Sequence, residues 1–114
     1  DWVGEHLKQL EADGLLDNTI IFFWSDHGDG LPFVKREIND RGLRVPLIVR
    51  FPDKKFAGTT RSELISMIDL APTVLSLAGI PTPKAMHGRA VFGKYAAKTP
   101  RNVVFAARDR LDSE

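Results

Sequence analysis

The sequence predicts an α/β fold, on three observations. Apolar residues near the start of the chain recur at helical spacing, which predicts an amphipathic helix. Two later runs, residues 19–24 and 45–51, are rich in β-branched or aromatic side chains, which is typical of strands. A third segment, residues 70–78, has a helix-starting residue before it and a glycine after it. Helices that alternate with apolar strands in this way are typical of α/β domains.

The first helix is predicted to end near Gly14. Val3 and Leu7 lie on one face of such a helix, and Gly14 can adopt the left-handed conformation that ends it. The polar pair at residues 17–18 then predicts a turn into the first strand.

Both predicted strands are apolar without interruption. Residues 19–24 are therefore expected to be buried on both faces, with Trp24 in the core. Residues 45–51 have the same character, and Pro52 closes them. Residues 33–43 mix charges with few apolar side chains, so we expect a loop there.

The helix at residues 70–78 has clear end signals. Asp69 can cap its start, Pro72 lies within the first turn where its missing N–H costs little, and Gly79 follows the end. Residues 103–107 predict a third strand.

Composition excludes several function classes. The chain has 16 Lys plus Arg against 15 Asp plus Glu, a net charge of +1, which argues against a generic polyanion-binding surface and a nucleic-acid partner. It has no cysteine, which excludes disulfides, zinc–thiolate sites and a cysteine nucleophile within these residues. No apolar run approaches the roughly 18 residues that a membrane-spanning helix needs. The first ten residues are charged, unlike a signal peptide, so we expect any export signal to lie elsewhere.

Four polar or flexible residues, Ser25, Asp26, His27 and Gly28, follow the first strand directly. In open α/β sheets, ligands bind outside the carboxyl ends of strands, so this position predicts a polar or metal site. Asp26 and His27 offer a carboxylate and an imidazole to one cation. The alternative is structural: Asp26 caps the following turn and His27 is simply exposed.

Longer segments surround this motif and cover most of the chain. They are DNTIIFFWSDHG at residues 17–28, GLRVPLIVR at 42–50, IDLAPTVL at 68–75 and LAGIP at 77–81. In this order they resemble the later part of the catalytic domain of the sulfatases, within the alkaline phosphatase-like superfamily. The sequences MHGR at residues 86–89 and Arg108-Asp109-Arg110 also resemble pieces that follow in that family.

The resemblance implies an alkaline phosphatase-like sheet flanked by helices, and hydrolysis of a sulfate ester or sulfamate. In this family a formylglycine nucleophile acts next to a divalent cation, usually calcium. By likeness, Asp26 and His27 match the later pair of metal ligands, although many relatives have asparagine where His27 stands. We expect calcium by this likeness, with zinc or manganese as alternatives because imidazole suits these two metals better.

Three further residues are candidates for substrate contact. Lys35, nine positions after Asp26, resembles the basic residue that reaches the sulfate and the departing oxygen in related enzymes, and Arg36 is the alternative. His87 is a candidate for lining a substrate pocket. The competing interpretation of each is an exposed, solvated side chain.

The family's Cys/Ser-x-Pro-x-Arg nucleophile sequence and its two early aspartates do not occur in this sequence. We therefore expect residues 1–114 to be a single segment from the carboxyl side of a catalytic domain, which contributes half of a metal site and is inactive alone. The alternatives are a phosphonate or phosphate ester hydrolase of the same superfamily, and a non-catalytic module that keeps the fold.

The resemblance also suggests partners and location. We expect a sulfated small molecule or glycan as substrate, and an exported or lysosomal protein by likeness to relatives. Exposed strand edges predict self-association of the isolated segment.

Overall fold

The computed structural model describes residues 1–108. Contacts divide the chain into two compact units, Asp1–Thr60 and Arg61–Glu114. Between residues 1 and 108, no helix combines the length and the apolar character needed to cross a bilayer. The motif residues Asp109 and Arg110 lie outside the described residues.

The first unit begins with helix α1, Trp2–Ala12, as predicted. The Asp1 carboxylate accepts hydrogen bonds from the first turn of the helix and thereby caps it. At the other end Gly14 has a φ of 68°, and the Leu15 N–H donates to the Leu10 carbonyl oxygen over 2.9 Å. This left-handed ending confirms the role predicted for Gly14.

Two strands, β1 (Ile21–Trp24) and β2 (Leu47–Arg50), form an antiparallel pair in which Trp24 lies opposite Leu47. Both are shorter than the predicted runs. The polar motif follows the carboxyl end of β1, as predicted. Because the strands run antiparallel, the motif lies beside the residues that lead into β2 rather than at the shared edge of two parallel strands.

The prediction that the first strand is buried on both faces was wrong within residues 1–108. Phe23 and Trp24 are 45% and 46% exposed. A strand is buried on both faces only where other elements cover the sheet above and below, and the described residues do not cover Phe23 and Trp24 in this way.

The segment predicted as a loop, residues 33–43, contains a one-turn helix, α2, at Asp40–Leu43. Asn39 caps it, because its Oδ1 accepts a hydrogen bond from the Gly42 N–H over 3.1 Å. This cap, rather than hydrophobic periodicity, starts the helix, which explains why the apolar pattern did not predict it.

In the second unit, helix α3 covers Leu70–Leu77, close to the predicted bounds. Gly79 has a φ of 76°, and the Ile80 N–H donates to the Leu75 carbonyl oxygen over 2.8 Å, so the predicted glycine ending is confirmed. Residues 103–107 form no strand, which corrects that prediction. No described strand of this unit is available to pair with them.

Helix α3 turns polar side chains inward. Thr73 and Ser76 are buried, and each satisfies backbone groups of residues 91–95. The Thr73 hydroxyl accepts from the Val91 N–H over 3.0 Å, and the Ser76 hydroxyl accepts from the Tyr95 N–H over 2.8 Å. Side-chain hydrogen bonds therefore attach this irregular segment to the helix, where a larger apolar core would otherwise be needed.

Asp69 is the centre of this polar interior, and the prediction that its side chain caps α3 was wrong. Its side chain makes no capping bond to α3 and is 1% exposed. One carboxylate oxygen accepts from the Ser66 N–H over 3.0 Å. The other accepts from the Arg89 N–H over 2.9 Å and from Arg101 Nη2 over 2.6 Å. One buried carboxylate thus joins three separate parts of the second unit.

We expect the substitution Asp69→Ala to destabilise the protein by about 3–5 kcal/mol, because it leaves a largely buried guanidinium without its anion. Urea unfolding measures the loss, and hydrogen exchange should show faster exchange of the Arg89 N–H. Asp53→Ala is the control: Asp53 accepts one N–H in an exposed turn, so a change within about 1 kcal/mol is expected. Equal losses in the two variants would contradict the central role of Asp69.

Candidate functional site

Asp26 and His27 bring two different metal-binding atoms together at the end of β1. Asp26 Oδ1 lies 3.6 Å from His27 Nε2. The Asp26 side chain is 82% exposed and the imidazole is 39% exposed. The pair therefore faces solvent, where a cation, a substrate or another part of a protein has access to it.

A hydrogen bond orients the imidazole. His27 Nδ1 lies 2.6 Å from the Gly28 carbonyl oxygen. A carbonyl oxygen can only accept, so Nδ1 carries the hydrogen of this bond. In the neutral ring, Nε2 then has a free lone pair, and Nε2 is the nitrogen near Asp26. Metal-bound histidines in proteins are commonly oriented by such a bond from the opposite ring nitrogen.

The structural alternative for Asp26 finds no support in the described chain. Across residues 1–108 the Asp26 carboxylate accepts no hydrogen bond from the backbone, so it does not cap the following turn. Ser25 instead closes this turn, because its hydroxyl donates to the His27 carbonyl oxygen over 2.6 Å. The carboxylate therefore lies exposed beside the His27 imidazole.

Close packing fixes the position of residues 25–28, which we call the motif loop. The Gly28 N–H donates to the Gly42 carbonyl oxygen over 3.1 Å. A Cβ at residue 28 would lie 2.1 Å from the Arg41 carbonyl oxygen and 2.9 Å from Val34 Cγ1. Only glycine allows this approach, which places the motif loop against α2 and the buried Val34 side chain.

Lys35 is next in sequence to a residue that packs against the motif loop. It follows Val34, the residue that packs on Gly28, and its own side chain is exposed. Phe33 and Arg36, on either side of this pair, have φ angles of 61° and 67°. Left-handed backbone at non-glycine residues costs about 1–3 kcal/mol and is concentrated at functional sites. Arg36 is exposed as well, so both cationic candidates are accessible.

His87 belongs to the second unit and is exposed. The backbone that follows it is nevertheless closely packed. A Cβ on the next residue, Gly88, would lie 1.9 Å from the Ile68 carbonyl oxygen. The Arg89 N–H then bonds to Asp69. His87 is therefore an exposed side chain on a tightly held backbone.

A complete metal cage is not formed by these residues. In the described part of the chain no group of three or more His, Cys, Asp or Glu side chains is arranged to hold an ion. Asp26 and His27 fit a divalent cation as two ligands of a larger set. The oxygen suits calcium, zinc or manganese, and the nitrogen favours zinc or manganese.

Sequence reasoning missed the residues that support the motif loop. Val34, Asn39 and Gly42 lie in the segment predicted as an exposed or site-lining loop. Asn39 also donates from Nδ2 to the Phe33 carbonyl oxygen over 3.1 Å. The signal that was available is the cap pattern, an Asn before an acidic residue, which marks a short helix even without an apolar stripe.

The known proteins that this chain resembles are sulfatases. The sequence profile of the family described as Sulfatase matches residues 1–80. The chain is 52% identical over 112 residues to an ulvan-active sulfatase of Formosa agariphila, covering 98% of the chain and 19% of that protein. It is 41% identical over 90 residues to an N-acetylglucosamine-6-O-sulfatase of Bacteroides thetaiotaomicron, covering 75% of the chain and 16% of the relative.

A human relative is similar over a shorter stretch. The chain is 42% identical over 84 residues to the N-acetylglucosamine-6-sulfatase of Homo sapiens, covering 69% of the chain and 15% of that protein. The chain thus spans less than a fifth of the length of each of these relatives.

We expect Gly28→Ala to destabilise the protein by about 1–3 kcal/mol, because the added methyl group overlaps backbone and a buried side chain. Thermal or urea unfolding measures the change. Gly30→Ala is the matched control in the same loop, since a Cβ there meets nothing within 4 Å. The packing of the motif loop would be refuted if the two variants were equally stable.

Proposed function

The chain belongs to the sulfatase family, and on that premise we propose that it supplies part of the active site of a metal-dependent sulfuric ester or sulfamate hydrolase. The observation that carries the proposal is the approach of Asp26 Oδ1 to His27 Nε2 at the end of β1. The oriented imidazole supports it, because Nε2 is the nitrogen left free to bind. On this proposal the two units belong to an alkaline phosphatase-like domain that extends beyond these residues.

Asp26 and His27 would hold the divalent cation together with ligands from elsewhere in the protein. The cation supplies electrostatic stabilisation of the negative charge on the sulfate oxygens as the ester bond breaks. The Gly28 carbonyl keeps the His27 ring in the tautomer that binds. Close packing at Gly28 keeps the backbone of both ligands in place.

Lys35 would act on the leaving group. When the bond between sulfur and the ester oxygen breaks, the departing oxygen gains negative charge, and the Lys35 ammonium can donate a proton to it. An exposed lysine whose backbone is anchored beside the motif loop is suited to this task. Arg36 is the second choice, because a guanidinium binds sulfate oxygens but does not give up a proton. The nucleophile, formylglycine by likeness to the family, would come from residues outside this chain.

A sulfated glycan is the substrate class we propose. The names of the relatives specify ulvan for one and N-acetylglucosamine for two others. His87 is the further candidate for contact with such a substrate. A second candidate function is hydrolysis of phosphate or phosphonate esters, which the imidazole at residue 27 favours because it suits zinc or manganese.

The full-length protein is expected to hydrolyse an aryl sulfate faster than the matching aryl phosphate. We expect Asp26→Ala and His27→Ala each to lower kcat/KM for the sulfate by about 10²–10³-fold, the scale of electrostatic transition-state stabilisation. Both variants should also lose bound metal, measured by elemental analysis of the purified protein.

Asp29→Ala provides the control, since Asp29 is an exposed carboxylate in the same region. Unchanged activity and metal content in the Asp26 and His27 variants would rule out the proposed metal site. Faster cleavage of the phosphate would favour the second candidate function.

Lys35→Ala should lower the rate most for poor leaving groups, because proton donation matters most when the departing oxygen is strongly basic. We expect a loss of about 10²–10⁴-fold for an alkyl or sugar sulfate. A much smaller loss is expected for an aryl sulfate with an acidic phenol. Arg36→Ala should show a loss that is the same for both. A loss in Lys35→Ala that does not depend on the leaving group would exclude its role as the acid.

A further inference from the structure

Charge is distributed unevenly along the chain, although the net charge is only +1. Residues 1–69 contain 12 acidic and 9 basic side chains, whereas residues 70–108 contain no acidic side chain. The basic residues of this second stretch are Lys84, Arg89, Lys94, Lys98, Arg101 and Arg108. A local excess of one sign of charge creates a field that attracts the opposite sign, whatever the total charge.

One loop, closed by a backbone hydrogen bond, carries three of these cationic side chains. The Ala97 N–H donates to the Ala90 carbonyl oxygen over 2.9 Å, which closes a loop between them. Arg89 and Lys98 flank this bonded pair, and Lys94 lies between its ends. We call residues 89–98 the cationic loop.

Helix α3 fixes the middle of the cationic loop. The Lys94 N–H donates to the Ser76 carbonyl oxygen over 3.2 Å, and the Tyr95 N–H donates to the Ser76 hydroxyl over 2.8 Å. At Gly93, with a φ of 90°, a Cβ would lie 2.5 Å from the same carbonyl oxygen. A loop held this closely loses little conformational entropy when it binds a ligand.

The charges of the cationic loop are accessible and not neutralised by the described residues. Lys94 and Lys98 are exposed, and Arg89 is partly exposed. Within residues 1–108 none of the three forms an ion pair. Asp69 is close to the Arg89 backbone, but it is buried and paired with Arg101.

An aromatic ring lies among these cations. Tyr95 is 40% exposed, and Lys94 Nζ lies 5.4 Å from the centre of its ring. An exposed aromatic ring offers a rigid apolar surface with a polar tip, which suits the apolar face of a sugar ring. Fixed cations beside such a ring can bind the anionic groups that the sugar carries.

We propose that the cationic loop binds anionic groups of a sulfated polysaccharide at positions other than the ester that is cleaved. The choice of a polysaccharide rests on the proposed function, because a glycan sulfatase must hold a negatively charged polymer. The loop then contributes to the affinity for the polymer and not to the chemical step.

The variant with Arg89→Gln, Lys94→Gln and Lys98→Gln tests this in the full-length protein. We expect its Kd for dextran sulfate to rise about tenfold, the combined effect of three exposed charge contacts. Affinity should also fall less steeply with salt, by about one unit of log–log slope for each lost contact. The kcat/KM for para-nitrophenyl sulfate should stay unchanged, since that small ester cannot reach a second anion site.

The matched control is Lys8→Gln, Lys54→Gln and Lys55→Gln, which removes the same charge from exposed lysines of the first unit. Lys55 also lies over an aromatic ring, Phe56, at 5.2 Å, so the control reproduces the contact between Lys94 and Tyr95. An equal loss of dextran sulfate binding in the control, or no loss in the loop variant, would overturn the proposal. So would wild-type binding of duplex DNA as tight as that of dextran sulfate.

The proposed function and the proposed binding by the cationic loop can each be refuted without the other. If the protein binds dextran sulfate through the cationic loop but does not hydrolyse sulfate esters, the proposed function is wrong and the binding surface stands. If it hydrolyses para-nitrophenyl sulfate but the loop variant binds dextran sulfate normally, the surface is wrong and the function stands.

Discussion

The geometry of the motif loop depends on the absence of a side chain at residue 28. A Cβ at this position would overlap the Arg41 carbonyl oxygen and crowd the Val34 side chain. Gly42 repeats this constraint, since a Cβ there would lie 2.1 Å from the Glu37 carbonyl oxygen. Gly28 thus lets the motif loop pack against α2, and Gly42 lets α2 pack against the backbone of residues 34–37. This packing fixes the position of Asp26 and His27, because few buried apolar side chains lie nearby.

The second unit is organised by polar groups in a similar way. Its buried side chains include Asp69, Thr73 and Ser76, all of which bond to backbone or to Arg101. Hydrogen bonds of this kind specify one arrangement more sharply than apolar contacts do, because a displaced partner leaves a buried polar group unsatisfied. A side effect is that charges on the outer surface, such as Lys94 and Lys98, are carried on a well-defined backbone.

Local signals in the sequence predicted the parts of the fold that depend on neighbouring residues. The ends of α1 and α3 could be predicted because glycine at residues 14 and 79 adopts a conformation that other residues avoid. The position of Asp26 and His27 after a strand could be predicted from the apolar run. Three features could not be predicted in this way, because each depends on residues far apart in the chain. They are the antiparallel pairing, the burial of the strands and the hydrogen bonds of the buried Asp69 carboxylate. The roles of Asp26, His27, Lys35, Arg36 and His87 stay predictions.

The proposed metal site requires Asp26 and His27 to bind one cation together. Anomalous diffraction from crystals of the full-length protein, grown with its native metal, tests this most directly. We expect a single metal peak within bonding distance of an Asp26 carboxylate oxygen and of His27 Nε2. A metal that contacts neither residue, or a His27 ring that presents Nδ1 to the ion while Nε2 bonds to the backbone, would contradict it.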